Sequence, residues 1–292
     1  MTIDPEPAIA ETPSVEGMKR YRDALEAEPT ALRVALSARF SGKEFILVRG
    51  FLTDALDRFG VMMADQVQAV MALGCPVRKV QAPFDSENAP DVNAMEIART
   101  VKSASHPVVL ITHSKGSVDT LAALVNYPEI RGSVAGWVSI QGAVQGSAVA
   151  DFFVGVTHAS LVETAKRALL TAIFSSVFSG SVASLDALRT RDRVAYLRQN
   201  AADIQKIVGQ VPTVAFGSAA PTSRSALRTV TDPFFPREPK NDGLVSVERS
   251  VIPGALIIHD LDGPDHADAV TDVPGPQGCD RIRLTHALLS VL

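Results

Sequence analysis

Cysteine is scarce in this chain of 292 residues, which contains only Cys75 and Cys279. Two cysteines so far apart lack the spacing of a zinc site, and the sequence therefore predicts no bound metal. Because a reducing compartment keeps cysteines as thiols, we expect both to be free. A disulfide between them is the alternative.

An excess of positive charge is also missing. The 28 lysines and arginines are outnumbered by 32 acidic residues, which gives a formal net charge of −4. Binding to the phosphates of a nucleic acid needs a cationic surface, so this balance argues against a nucleic acid partner.

Long apolar runs are absent as well. The longest, near residues 168–178, is shorter than the ~20 residues that a membrane-spanning helix needs. Residues 1–14 are acidic and contain prolines, without the basic start and apolar centre of a secretory signal. We therefore expect no membrane span and a cytoplasmic location.

The chain is rich in short apolar runs that alternate with helical patterns. The runs predicted as strands are residues 45–48, 77–82, 107–112, 134–140, 211–216 and 255–258. The main helical patterns are residues 57–73, 90–104, 117–125 and 281–292. This alternation predicts an α/β fold, with a mainly parallel central sheet covered by helices on both faces. In such sheets, functional residues follow the carboxyl ends of the strands.

The chain is predicted to divide into an N-terminal piece and a main domain. Residues 1–43 form the first, as a disordered tail followed by helices over residues 14–40 that are interrupted before Pro29. Residues 44–292 form the second.

The strand pattern is interrupted over residues 151–210. Helical patterns cover residues 161–178 and 185–204 in this insertion, which follows the carboxyl end of a strand. We expect it to form a helical lid or cap over the site; the alternative is that it only completes the core.

The most informative motif is Thr112-His113-Ser114-Lys115-Gly116, here called the nucleophile elbow. A serine between an apolar strand and a helix is typical of a tight turn that exposes a nucleophilic hydroxyl. Gly116 relieves crowding two residues after the serine. The usual motif also has glycine two residues before it, where this chain has Thr112.

A nucleophilic serine needs a histidine to accept its proton and a carboxylate to orient that histidine. Asp242, in an Asp-Gly turn, and His266, in a loop after the last strand, are the candidates. Asp242 could instead serve only its own turn. His259 is the alternative base, and His113 is expected to be a packing residue.

Together these motifs resemble the α/β-hydrolase superfamily, and within it bacterial lipases and esterases. The chain order Ser114, Asp242, His266 is the one found there. The segment 139–147 and the residues around Asp242 and His266 also look like lipase segments. The resemblance implies a Ser114–His266–Asp242 triad, an oxyanion hole from the backbone N–H groups of Phe51 and Lys115, an apolar acyl pocket under residues 151–210, and no cofactor.

Two further features depart from the family. Arg49 stands where many relatives have histidine, and residues 143–145 lack the Pro-His pair found in many of them. Asp268 matches one ligand position of a calcium site of some lipases, but without a second ligand we predict no calcium. Lys115 beside the nucleophile suggests the hypothesis that its ammonium group favours acidic substrates; a solvated side chain is the alternative.

The sequence therefore predicts a serine hydrolase that cleaves small-molecule or lipid carboxylic esters through an acyl-enzyme. An acyltransferase or thioesterase using the same triad is the alternative, since the residues fix the mechanism and not the leaving group. A non-catalytic binding protein of the same fold is a further alternative. The oligomeric state is left open.

Overall fold

The computed structural model describes residues 5–50, 61–81, 84–155, 182–271 and 278–292. Within these ranges one sheet contains six strands, all parallel, in the order β2-β1-β3-β4-β5-β6. The strands are β1 Glu44–Val48, β2 Val77–Lys79, β3 Val108–His113, β4 Val134–Ile140, β5 Thr213–Ser218 and β6 Leu256–Asp260. The predicted parallel sheet is thus confirmed.

Helices precede, connect and follow these strands. They are α1 Val15–Glu26, α2 Pro29–Phe40, α3 Ala64–Met71, α4 Pro90–Lys102, α5 Lys115–Asn126, α6 Ala148–Gly155, α7 Thr190–Gln199, α8 Ala201–Gln210, α9 Ala226–Thr231 and α10 Arg281–Val291. Short 3-10 turns lie at Pro128–Ser133, Val182–Leu188, Thr222–Arg224 and Asp232–Phe234. None of the described helices is long and apolar enough to cross a membrane.

Apolar residues cover both faces of the sheet. One core cluster packs α1, α2, α3 and α10 against it, with Phe45, Val109 and Phe216 fully buried. The other packs α4, α5 and α8 on the opposite face, around Trp137. Strands buried on both faces explain why the sequence shows continuous apolar runs instead of alternation.

The element boundaries differ from the predicted ones where local geometry intervenes. The helix predicted over residues 57–73 begins at Ala64, because Met63 before it has a left-handed backbone with φ 54°; residues 57–60 lie outside the described residues. The helix predicted from residue 117 begins earlier, at Lys115, directly after the elbow serine.

The N-terminal residues are more ordered than predicted. Residues 5–14 have no regular secondary structure, but Ile9 pairs its backbone N–H and carbonyl with the side-chain amide of Gln145. The Glu6 N–H donates to Thr190 Oγ1, and Glu6 O accepts from Arg249. The prediction of disorder for residues 5–13 is therefore wrong, because the partners of this polar segment lie far along the chain.

The predicted cap over residues 151–210 is described only in part. Residues 156–181, and with them the predicted helix 161–178, lie outside the described residues, so the cap stays a prediction. At its base the Asp151 carboxylate accepts hydrogen bonds from the Thr190 N–H and hydroxyl at 2.9 and 2.5 Å. Residues 190–210 form α7 and α8, whose Leu197, Ile204 and Ile207 belong to the core on one face of the sheet. That last part completes the core.

Both cysteines lie among the described residues and are free, as predicted. Cys75 is buried, and Cys279 is half-buried before α10. Burial raises the pKa of both thiols, that of Cys279 to about 12. Neither is therefore a reactive thiolate at neutral pH.

Candidate active site

Ser114 lies on the sharp turn between β3 and α5. Its backbone has φ 53° and ψ −125°, a conformation that residues with a side chain rarely adopt. The turn is held because the Ser114 N–H donates to Ile140 O, and Ser114 O accepts from the N–H groups of Ser117 and Ala143. Positive φ at a non-glycine residue persists only where surrounding contacts impose it, which is common at functional sites.

Two glycines allow the chain to pack closely around this turn. A Cβ atom added to Gly116 would lie 2.5 Å from the carbonyl oxygens of both Val48 and Arg49. A Cβ atom on Gly50 would lie 2.8 Å from Ser114 Cβ. Residues 48–50 at the end of β1 therefore lie directly against the nucleophile elbow, and any larger residue at Gly116 or Gly50 would displace them.

Thr112, the departure from the usual motif, has a structural role. Its hydroxyl accepts a hydrogen bond from the indole N–H of Trp137 at 2.9 Å and lies 2.8 Å from Ser117 Oγ. All three side chains are fully buried. A buried indole N–H requires an acceptor. Thr112 supplies it, so the larger residue fits its own surroundings.

Asp242 lies in the loop between β5 and β6, where its carboxylate serves both its turn and the site. Asp242 Oδ1 accepts from the N–H groups of Leu244 and Val245 at 2.9 and 2.8 Å. Its Oδ2 points to His266. The two roles that the sequence left open are therefore combined, one on each oxygen.

His266 joins the serine to the aspartate. Its Nε2 lies 2.8 Å from Ser114 Oγ, and its Nδ1 lies 2.8 Å from Asp242 Oδ2. The His266 backbone N–H also donates to Asp242 O at 2.9 Å. All three side chains are buried, so water competes little for these bonds.

The partners of the His266 ring determine its tautomer. Because a carboxylate only accepts hydrogen bonds, Nδ1 carries the proton that it donates to Asp242. Nε2 then has a lone pair and accepts from the Ser114 hydroxyl. The ring is thus in the form that can take a proton from the serine.

The rival histidines have other surroundings. His259 lies within β6, opposite Gly217 of β5, and has no described contact with Ser114 or Asp242. His113 packs its ring against the ring of His266, with centroids 4.6 Å apart. Burial, and then the charge of nearby His266, hold the pKa of His113 well below its usual range. His113 is therefore neutral, and it is a packing residue, as predicted.

The predicted oxyanion hole can be described on one side only. Lys115 is the first residue of α5, so its backbone N–H belongs to the positive end of a 12-residue helix directly beside Ser114. Phe51 lies outside the described residues. Its neighbour Gly50 lies against Ser114, since a Cβ atom added to Gly50 would be 2.8 Å from Ser114 Cβ.

The Lys115 side chain does not reach the site. It is fully buried, and its Nζ contacts the two oxygens of Asp119 at 2.8 and 2.9 Å. Asn93 of α4 donates to the same carboxylate at 2.8 Å. The hypothesis that this ammonium group selects acidic substrates is therefore wrong, and so is the alternative of a solvated lysine. The i,i+4 spacing of Lys115 and Asp119 is the sequence signal that indicates the pair.

Asp268 is held by an arginine. Arg281 at the start of α10 lies within 3.3 Å of Asp268 Oδ1 and donates to the carbonyl oxygens of Asp268 and Thr271. The same guanidinium pairs with Asp65 of α3. The described residues contain no cluster of His, Cys, Asp or Glu side chains suited to a metal ion.

Sequence comparisons find no match, either among models of protein families or among curated proteins. Solved structures do match. The chain is similar to a metagenomic carboxyl esterase, at 24% identity and a TM-score of 0.69, over 86% of this chain and 75% of the esterase. It is also similar to the mature form of a lipase from Bacillus licheniformis, at 15% identity and a TM-score of 0.58, over 75% of this chain and 84% of the lipase. The chain has the α/β-hydrolase fold, as predicted.

Proposed function

We propose that this protein is a serine hydrolase that cleaves carboxylic esters. The observation that carries the proposal is the continuous series of short hydrogen bonds from the Ser114 hydroxyl through the His266 ring to the Asp242 carboxylate. Groups in this arrangement form a nucleophile, a general base and the residue that orients the base. The similar esterase and lipase folds agree with this assignment.

In the acylation step Ser114 Oγ attacks the ester carbonyl carbon while His266 Nε2 takes the hydroxyl proton. Asp242 stabilises the positive charge that develops on the ring. The negative charge on the carbonyl oxygen is stabilised by the Lys115 N–H at the start of α5 and, in this proposal, by the Phe51 N–H. The His266 proton then passes to the leaving alcohol, and the acyl group stays on Ser114.

Deacylation repeats these steps with water as the nucleophile. His266 takes a proton from the water, whose oxygen attacks the acyl carbon. The proton returns to Ser114 Oγ as the acid is released. These two steps need no cofactor, since His266 carries each proton that is transferred.

Apolar side chains beside the aspartate loop favour an apolar ester. Phe152 and Phe234 pack their rings 4.5 Å apart, in a cluster that includes Leu244, two residues after Asp242. In this proposal an acyl chain packs against these partly buried side chains, and each methylene that it buries contributes about 0.8 kcal/mol of favourable free energy.

The deciding experiment is labelling of intact protein with a fluorophosphonate, which reacts with activated serines. We expect the wild-type protein to be labelled and Ser114→Ala to stay unlabelled. An unlabelled wild-type protein would support the non-catalytic alternative. Equal labelling of both would assign the nucleophile to another residue.

Turnover of nitrophenyl esters with acyl chains of increasing length then identifies the substrate class. A maximum at medium or long chains fits the apolar cluster, whereas a preference for acetate indicates an esterase of small substrates. Adding a competing alcohol or a thioester substrate separates the acyltransferase and thioesterase alternatives, because the same acyl-enzyme then gives a different product.

A further inference from the structure

The loop that carries His266, residues 263–268, is here called the histidine loop. Three consecutive backbone carbonyls of this loop each accept a hydrogen bond from a buried side chain. Ser218 Oγ donates to Pro264 O at 2.7 Å, and Gln141 Nε2 donates to Asp265 O at 3.1 Å. His113 Nε2 lies 3.0 Å from His266 O. The carbonyl oxygen only accepts, so this nitrogen carries the proton.

The three donors come from neighbouring strands. Ser218 ends β5, Gln141 follows β4 and His113 ends β3, and these strands are adjacent in the sheet. The loop crosses the ends of these three strands, and its three successive carbonyls each meet a donor from a different strand. A further bond from Gln141 Nε2 to Ser218 Oγ at 2.6 Å joins two of the donors.

We propose that His113, Gln141 and Ser218 are positioning residues, which hold the histidine loop so that the His266 ring stays within reach of both Ser114 and Asp242. This inference rests on the proposed function. A base on a loop would otherwise move with the loop, and a displacement of about 1 Å can lower a rate roughly 100-fold. Gln141 and Ser218 act through the backbone of the loop, and His113 acts through the backbone and through its packing against the His266 ring.

Two features indicate that these side chains position the histidine loop and do not only fill space beside it. Gln141 has φ 48°, an unfavourable conformation for a residue with a side chain, and it aims its amide at the loop. His113 also packs its ring on that of His266, so it contacts both the backbone and the ring of the proposed base.

The molecule offers a matched control for each donor. Gln145 is a buried glutamine whose Nε2 donates to Ile9 O and Val251 O, away from the loop. Ser250 is a buried serine that donates to Val247 O. His286 is a buried histidine whose Nε2 lies 3.0 Å from Ala69 O. Each control loses the same kind of bond but leaves His266 untouched.

The test compares Gln141→Met, Ser218→Ala and His113→Phe with Gln145→Met, Ser250→Ala and His286→Phe. Each full-length variant is measured for kcat and KM on a nitrophenyl ester and for its rate of fluorophosphonate labelling. We expect kcat and the labelling rate to fall about 10- to 100-fold in the first set, with KM within about twofold. Both chemical steps use His266, so they slow together and KM changes little. The controls should keep wild-type values.

Rescue separates the hydrogen bond from packing. His113→Gln places an amide N–H near the position of Nε2, whereas His113→Phe keeps a ring without a donor. We expect His113→Gln to retain at least about five times the labelling rate of His113→Phe. Ser218→Thr keeps a hydroxyl donor and should likewise exceed Ser218→Ala; if the alanine protein does not fold, Gln141→Met and His113→Phe carry the comparison.

The inference is overturned if the first set labels and turns over at the wild-type rate, or if the controls lose as much as their counterparts. Failure of the proposed function gives a different result, because the wild-type protein itself would then be neither labelled nor active. Thermal unfolding of all six variants shows whether lost activity follows lost stability, which would also count against a positioning role.

Discussion

The nucleophile elbow and the histidine loop bring their side chains to one point, but they are built differently. The elbow is local: β3, Ser114 and α5 are consecutive, and Ser114 O accepts from Ser117 three residues on. The histidine loop is held by Ser218, Gln141 and His113, at sequence separations of 46, 124 and 153 residues. The turn at the proposed nucleophile is thus encoded by a short motif, whereas the position of the proposed base depends on the assembled sheet.

The elbow should carry the largest functional effect. We expect Ser114→Ala to lower kcat by a factor on the order of 10⁶, because the nucleophile is lost while the fold remains. Steady-state hydrolysis of a nitrophenyl ester measures this. Ser139→Ala is the control, since Ser139 is a buried serine at the same edge that contacts Ser117. A comparable loss in the control would mean that the fold, and not the nucleophile, was damaged.

Asp242 tests the histidine side of the comparison, because its carboxylate contacts the His266 ring. Asp242→Asn should lower kcat about 10⁴-fold, because an amide that donates to His266 favours the wrong tautomer of the ring. The turn should persist, since the amide oxygen can still accept from Leu244 and Val245. Asp151→Asn changes a buried carboxylate outside the triad and should keep activity. Equal activity in both variants would contradict the role of Asp242.

The buried ion pair tests how the elbow helix is held. Lys115→Met should lower the free energy of unfolding by about 3–5 kcal/mol, because it leaves the Asp119 carboxylate buried without its partner. The double variant with Asp119→Leu should recover most of this loss, since neither charge then remains. Urea unfolding measures both proteins. A double variant less stable than Lys115→Met would show that the pair itself is strongly stabilising.

Close packing at the elbow gives a smaller effect. Gly116→Ala should lower the free energy of unfolding by about 1–3 kcal/mol, because the new methyl group meets the carbonyls of Val48 and Arg49. Gly209→Ala in α8 has open space around the new atom and should raise it by about 0.5–1 kcal/mol. Thermal unfolding compares the two. A tolerated Gly116→Ala would mean that the loop after β1 can move away.

His113 belongs to the elbow and contacts the histidine loop. The dependence of stability on pH that it causes should be the smallest of these effects. Its pKa in the folded protein lies well below the ordinary value near 6.5, first because of burial. Below pH ~6.5 the unfolded chain therefore binds a proton that the folded protein does not, and stability is lost as the pH falls.

We expect His113 to lower the free energy of unfolding by at most about 1.4 kcal/mol for each pH unit below pH ~6.5. Urea unfolding between pH 7 and pH 5 should show a shallower decline for His113→Gln than for the wild-type protein. Parallel curves for the two would mean that His113 takes up a proton without cost in the folded state.

The sequence was most informative where residues that work together are close in the chain. The apolar runs predicted five of the six described strands to within about two residues at either end. This succeeded because a strand buried on both faces is apolar along its whole length. It also suggested Ser114, Asp242 and His266, whose loops each follow a strand. The sequence did not reveal that Gln141 and Ser218 bind the histidine loop. Their neighbours along the chain carry no pattern that indicates a partner more than 40 residues away.

The sequence by itself determined the parallel sheet, the strained turn at Ser114 and the candidate triad, because apolar periodicity and glycine placement act over a few residues. Only the tertiary structure decided that Lys115 is buried against Asp119, that Thr112 serves Trp137, and that three strand ends hold the histidine loop. These contacts depend on which strand ends become neighbours. Strand ends become adjacent only when the whole sheet assembles, so no short segment of the sequence determines these contacts.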